Sequence, residues 1–211
     1  MNAPDDIDPM YATLERTVRF VWVNLVSIVK ISLAWFLVSL PIVTIGPATV
    51  GAYRAVLSLR EAGAEGVDWG AVSGIFRAQF IHATLVGLVP PILLAVSGMY
   101  ALAYLADGTV LAGLLTLGAA YAGLYAWLVS IPVLLGLAEG KPAADAITDG
   151  YLWTARHAIG AVALGIVTTV LLTVTSLLTV AVALLFAGVA FTLHIEFITE
   201  TDQLTTSVPE R

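Results

Sequence analysis

The chain alternates long apolar stretches with short polar connections. Four stretches lack Asp, Glu, Lys and Arg altogether: Ile31–Tyr53, Ala78–Ala106, Gly108–Ala138 and His157–Ile195. Each supplies the roughly 20 apolar residues that a helix needs to cross hydrocarbon, where every backbone polar group must bond within the segment. The last stretch is too long for one span and long enough for two. A turn is therefore expected near Thr175, Ser176 and Thr179, where small hydroxyl residues cluster; one long helix leaving the bilayer is the alternative. The pattern predicts an all-α, polytopic membrane bundle of about five helices. Its spans fall near 22–45, 80–104, 109–136, 157–175 and 178–197, between an acidic tail at 1–17 and a polar tail at 199–211.

The connections carry their own signals. Asp107-Gly108 is a turn that forces two neighbouring spans into an antiparallel pair. Between Gly46 and Arg77 the order of residues reads as two helices around a Gly63–Gly66 turn, with Pro47 suited to a first helical turn and Asp68 to an N-cap. Arg54, Ser58 and Glu61 share one face of the first of these helices, opposite Val50 and Leu57. That amphipathic pattern predicts a helix lying at the bilayer surface after the first span. In the later loop, Glu139–Tyr151, the Ala-Asp-Ala-x-x-Asp-Gly order resembles the cytoplasmic loop by which ABC importer permeases dock on their ATPase. The plainer reading is a helix from Ala143 to Arg156 with Asp149 and Arg156 on its wet face and Asp145 in its first turn.

Composition narrows the class further. Of 211 residues 59% are hydrophobic and 11% charged, and mean hydropathy is +0.95. A soluble domain carries about 25% charged residues, so this chain has too little polar surface to coat a water-soluble globule. A net charge of −6 and a pI of about 4.8 argue against nucleic acid, which needs a basic face, and point to an acidic host proteome. Cysteine is absent, which removes disulfides, thiolate catalysis and thiolate-bound zinc. His82, His157 and His194 match no zinc spacing, and no phosphate-binding loop, nucleophile elbow or paired-carboxylate motif occurs. Neither an enzyme nor a cofactor is expected.

Orientation follows the Lys/Arg bias of short loops. With the N-terminus outside, the cytoplasmic loops would hold Arg54, Arg60, Arg77, Lys141 and Arg156, against Arg16, Arg19 and Lys30 outside or within the first span. The expectation is a multi-pass protein of the cell membrane, N-terminus outside and C-terminus cytoplasmic.

Candidate binding residues gather at the first span. Pro41, Gly46 and Pro47 interrupt the helix and free backbone groups, so Ser39, Thr44, Gly46 and Pro47 could meet an anion or polar head group at a helix N-terminus; a plain sharp corner is the simpler reading. Lys30 lies within the first apolar helix, where an unpaired ammonium at the bilayer centre costs at least ~2.5–3.5 kcal/mol, so it should snorkel or pair, Asp107 being the candidate partner. Arg54 and Ser130 complete the set. Leu37–Ile42 and Leu128–Val133 echo one another around Ser39-Leu40-Pro41 and Ser130-Ile131-Pro132, suggesting two parallel hairpins of the kind found in transporters. Gly113, Gly118 and Gly123 offer a small-residue face for helix association, with a partner or a second copy.

Asn24, the Ser39-Leu40-Pro41-Ile42-Val43-Thr44-Ile45-Gly46-Pro47-Ala48 segment, Tyr53-Arg54, Phe76-Arg77 and the spacing of the spans together resemble the YesL-like membrane proteins, domain of unknown function 624. The resemblance implies a small protein of about five spans, without an established activity, acting as an accessory beside a carbohydrate ABC transporter, with its permease or ATPase as partner. A small stand-alone transporter or channel, with a polar path near Lys30 and the Gly46-Pro47 break, is the alternative.

Overall fold

The computed structural model describes residues 19–62 and 66–178. The N- and C-terminal tails, Thr179, His194 and the fifth expected span beyond Leu178 lie outside them. The elements are α1 (Leu25–Ser39), a 3-10 turn (Ile42–Thr44), α2 (Ile45–Ala62), α3 (Trp69–Ala78), α4 (Phe80–Asp107), α5 (Val110–Ala138) and α6 (Ala143–Arg156), followed by α7 (Ala158–Leu178). The described residues contain no strand, and the all-α expectation holds. Four segments are long and apolar enough to cross a membrane: Ile42–Glu61, α4, α5 and α7.

α4 and α5 form the antiparallel pair that Asp107-Gly108 demands. Gly108 takes φ 65°, a left-handed conformation that side chains avoid, and its N–H bonds back to the Tyr104 carbonyl at 2.9 Å. Across the pair the Ser97 hydroxyl donates to the Thr116 carbonyl at 2.9 Å. Gly113 admits the Tyr104 ring and Gly123 admits Leu94. Two of the three glycines expected to serve a partner are thus used within the chain, while Gly118 stays open. α4 continues through Pro90 and Pro91, and α5 through Pro132.

The first expected span, 22–45, contains a break near its end. α1 has 15 residues, about 22 Å at 1.5 Å per residue, and ends at Ser39 because Pro41 cannot continue it. Residues 19–23 are helical too, and backbone bonds from Asn24 N–H to the Phe20 carbonyl and from Ile28 N–H to the Asn24 carbonyl carry them into α1; Ile42–Glu61, on the far side of the break, is a further apolar segment of span length. α2 is not free at a surface. It packs against α1, α3, α4 and α5, burying Val50, Ala55, Ser58 and Leu59. Ser58, expected on the wet face, is 2% exposed; its hydroxyl donates to the Ala55 carbonyl and accepts the Asp68 N–H. α2 becomes central because its small residues let neighbours approach, and its charges Arg54 and Glu61 pair along one edge at 3.4 Å.

The core lies where these elements meet: Val50 of α2, Ala83 of α4, Val133, Leu134, Leu137 and Ala138 of α5, and Ala146 of α6. Asp68 caps α3 as its position predicts, its Oδ1 accepting the Ala71 N–H at 2.9 Å. The echo between Pro41 and Pro132 is not structural, since one ends a helix and the other sits inside one. α7 is a unit by itself. It runs on through Thr175 and Ser176, where a turn was expected, and Thr168, Thr169 and Thr173 return their hydroxyls to carbonyls one turn back.

Candidate functional site

Gly46 and Pro47 are buried at the corner where the 3-10 turn becomes α2. A Cβ on Gly46 would stand 1.9 Å from the Ala83 carbonyl oxygen, and one on Gly87 would stand 2.8 Å from the Gly46 Cα. Backbone therefore meets backbone, and glycine is required on both sides. Around the corner the Thr44 hydroxyl donates to the carbonyls of Pro41, at 2.7 Å, and Val38, which absorbs groups the break releases. Trp35 Nε1–H donates to Thr49 Oγ1 at 3.1 Å and ties α1 to α2.

The predicted polar residues do not converge. The Ser130 hydroxyl donates to the Trp127 carbonyl in its own helix at 2.7 Å, and Arg54 pairs with Glu61. Among the described residues Lys30 forms no ion pair, so the expected contact with Asp107 is not made; its exposed position suits snorkelling. Ser39 keeps a buried hydroxyl with no hydrogen-bond partner, as do Thr84 and one amide oxygen of Gln79, neither of which the sequence marked out. No group of histidines and carboxylates among the described residues is arranged to hold a metal.

A groove of about 210 Å³ opens between α1, α2 and α3. Ile31, Trp35, Val38, Val72 and Phe76 line it, with Ser73 as its polar member. Hydropathy along the chain could not disclose it, because its walls come from three elements.

α6 spans Ala143–Arg156, the bounds its pattern predicts. Glu139 and Gly140 close α5, with Gly140 N–H bonding to the Leu137 carbonyl and Lys141 N–H to the Gly136 carbonyl, and Pro142 then opens the new helix. Small residues Ala146, Gly150 and Thr154 seat it on α5; a Cβ at Gly150 would lie 2.5 Å from Val133 Cγ2. The opposite face presents Asp145, Asp149, Leu152 and Arg156 to solvent. Lys141 Nζ donates to Asp149 Oδ2 at 3.1 Å and lies 3.7 Å from Glu139. The hydrogen bond to Asp149, then the two carboxylate charges, hold the Lys141 ammonium above the ordinary lysine range. Gln79 Nε2 reaches the Lys141 carbonyl at 3.3 Å, joining this junction to the start of α4. Comparison with protein families, with characterised proteins and with solved structures finds no match to this chain.

Proposed function

We propose that the protein is an interaction subunit of the cell membrane that docks a partner through α6. The observation that carries this reading is the division of α6 into a small-residue face seated on α5 and an exposed face bearing Asp145, Asp149 and Arg156. A helix fixed so closely on a span can transmit a partner's position to the bundle. A carbohydrate ABC importer is the partner class to test first; that choice rests on the resemblance carried by residues 39–48 and on the order of residues in the Glu139–Tyr151 loop.

The test is affinity purification from native membranes in mild detergent, with mass spectrometry of the recovered chains. Stoichiometric recovery of a permease or ATPase is expected. The double variant Asp145→Lys/Arg156→Glu should reduce that recovery at least about tenfold, since like charges brought together across an interface cost several kcal/mol. Recovery of the protein alone, as a defined oligomer, would overturn the reading.

The unpaired Lys30 and the partnerless Ser39 hydroxyl favour a second reading, a stand-alone transporter. Lys30→Leu separates the two: a transporter using this charge loses flux, whereas an interaction subunit keeps its partner.

A further inference from the structure

Three observations locate the α1–α2 hairpin against α4. Gly46 at the start of α2 touches Ala83 and Gly87, in the first two turns of α4. The far end of α2 returns to the start of the chain's helical part, with the Arg60 guanidinium carbon 5.3 Å above the Phe20 ring. Between these points α2 packs with Val50 and Leu57 on the Ala83 end of α4, the C-terminal end of α5, Ile75 of α3 and Ala143 of α6. It thus runs away from the Asp107 turn.

The distances decide what the hairpin can reach. α4 has 28 residues and is about 42 Å long, with Gly87 about 30 Å from Asp107. The stretch from Gly46 back to Leu40, six residues, adds at most ~21 Å even if fully extended. The tip therefore ends at least ~9 Å short of the far end of α4. Yet the tip is made for lipid: Leu40 is 64% exposed, Ile42 67% and Val43 53%.

Charge follows the same geometry. Arg19, beside Phe20, together with Arg54, Arg60, Arg77 and Lys141, lies toward the end where α4 begins and α5 finishes. From Ala78 to Gly140, which includes the opposite turn, the chain has no lysine or arginine.

We propose that α1 and α2 form a re-entrant hairpin that enters the lipid and leaves it on the same side, so that the chain at Arg19 and at Glu61 lies toward the cytoplasm in both cases. Lipid chains are the partner of the Leu40–Val43 tip, and the basic residues at the base meet the cytoplasmic head groups. This moves Arg19 to the side of Arg60, where the sequence expectation had the two on opposite sides, and leaves the expected sides of the later connections unchanged. The reading does not depend on the α6 partner.

The absence of cysteine makes the test direct. Single variants Thr17→Cys, Leu40→Cys, Glu61→Cys and Thr109→Cys are treated with an impermeant maleimide in right-side-out and inside-out vesicles. Reaction with a permeant maleimide after solubilisation confirms that each variant is present and reactive. Thr17→Cys and Glu61→Cys should label only from the cytoplasmic side and Thr109→Cys only from outside, while Leu40→Cys labels from neither side. Labelling of Thr17→Cys and Glu61→Cys from opposite sides, or of both from outside, would overturn the proposal. So would aqueous labelling of Leu40→Cys from either side.

Discussion

At Gly46 one hydrogen atom decides whether two helices can touch. A methyl group there would overlap the Ala83 carbonyl oxygen, which belongs to backbone and cannot swing aside. Gly46→Ala should therefore lower the thermal midpoint of the detergent-solubilised protein, at a cost of about 1–3 kcal/mol from overpacking. Gly118→Ala is the control, since its Cβ meets nothing within 4 Å and alanine favours the helix. Legibility at this scale divides by range. Asp68 as an N-cap and Pro47 in a first turn could be read from sequence, because both roles are settled within four residues. The burial of Ser58 and the contact between Gly46 and Gly87 could not, because each depends on an element distant in sequence.

Among elements, the α4–α5 pair was the most legible, its turn punctuated by Asp107-Gly108 and its helices uniformly apolar. Among the described residues a hydrogen bond between its helices runs from the Ser97 hydroxyl to the Thr116 carbonyl. Ser97→Ala should destabilise the pair by roughly 0.6 kcal/mol, the mean found for hydrogen bonds between membrane helices, as read by thermal unfolding in detergent. α6 was equally legible, since Pro142 and a 3.6-residue alternation of small and polar positions fix it. At its start the pairing of Lys141 with Asp149 raises the lysine pKa, so this contact favours the folded state at neutral pH and up to the ordinary lysine value. It should be lost as pH rises through the raised value, and the mobility of a spin label at Thr148 would report that release. The identical Ser-x-Pro spelling at Ser39 and Ser130 misled for a physical reason. Pro132 is held in its helix by buried neighbours Val133, Leu134 and Leu137, whereas Pro41 has exposed residues on either side.

On the scale of the whole molecule, hydropathy marked out helices fit to cross a membrane but not the turn by which the chain doubles back at Pro41. A window average reports how apolar a stretch is and not whether its two ends emerge together, so a span and a re-entrant hairpin look alike to it. The groove between α1, α2 and α3, by contrast, left no trace in hydropathy, and of the polar residues expected to line a path Ser130 bonds within its own helix and Thr44 at the corner, while the Ser39 hydroxyl finds no partner.

The turn at Asp107–Thr109 has a consequence for how the chain enters a membrane. It is all that α4 and α5 must carry across as their leading edge, and it holds one charge. Moving an aspartate through the bilayer centre costs ~2.5–3.5 kcal/mol, against a gain of ~0.3–0.6 kcal/mol for each Leu, Ile, Val or Phe that follows it. Some ten such residues offset that barrier, and α4 and α5 together contain more. This part of the chain can insert as a preformed hairpin without exporting a folded segment.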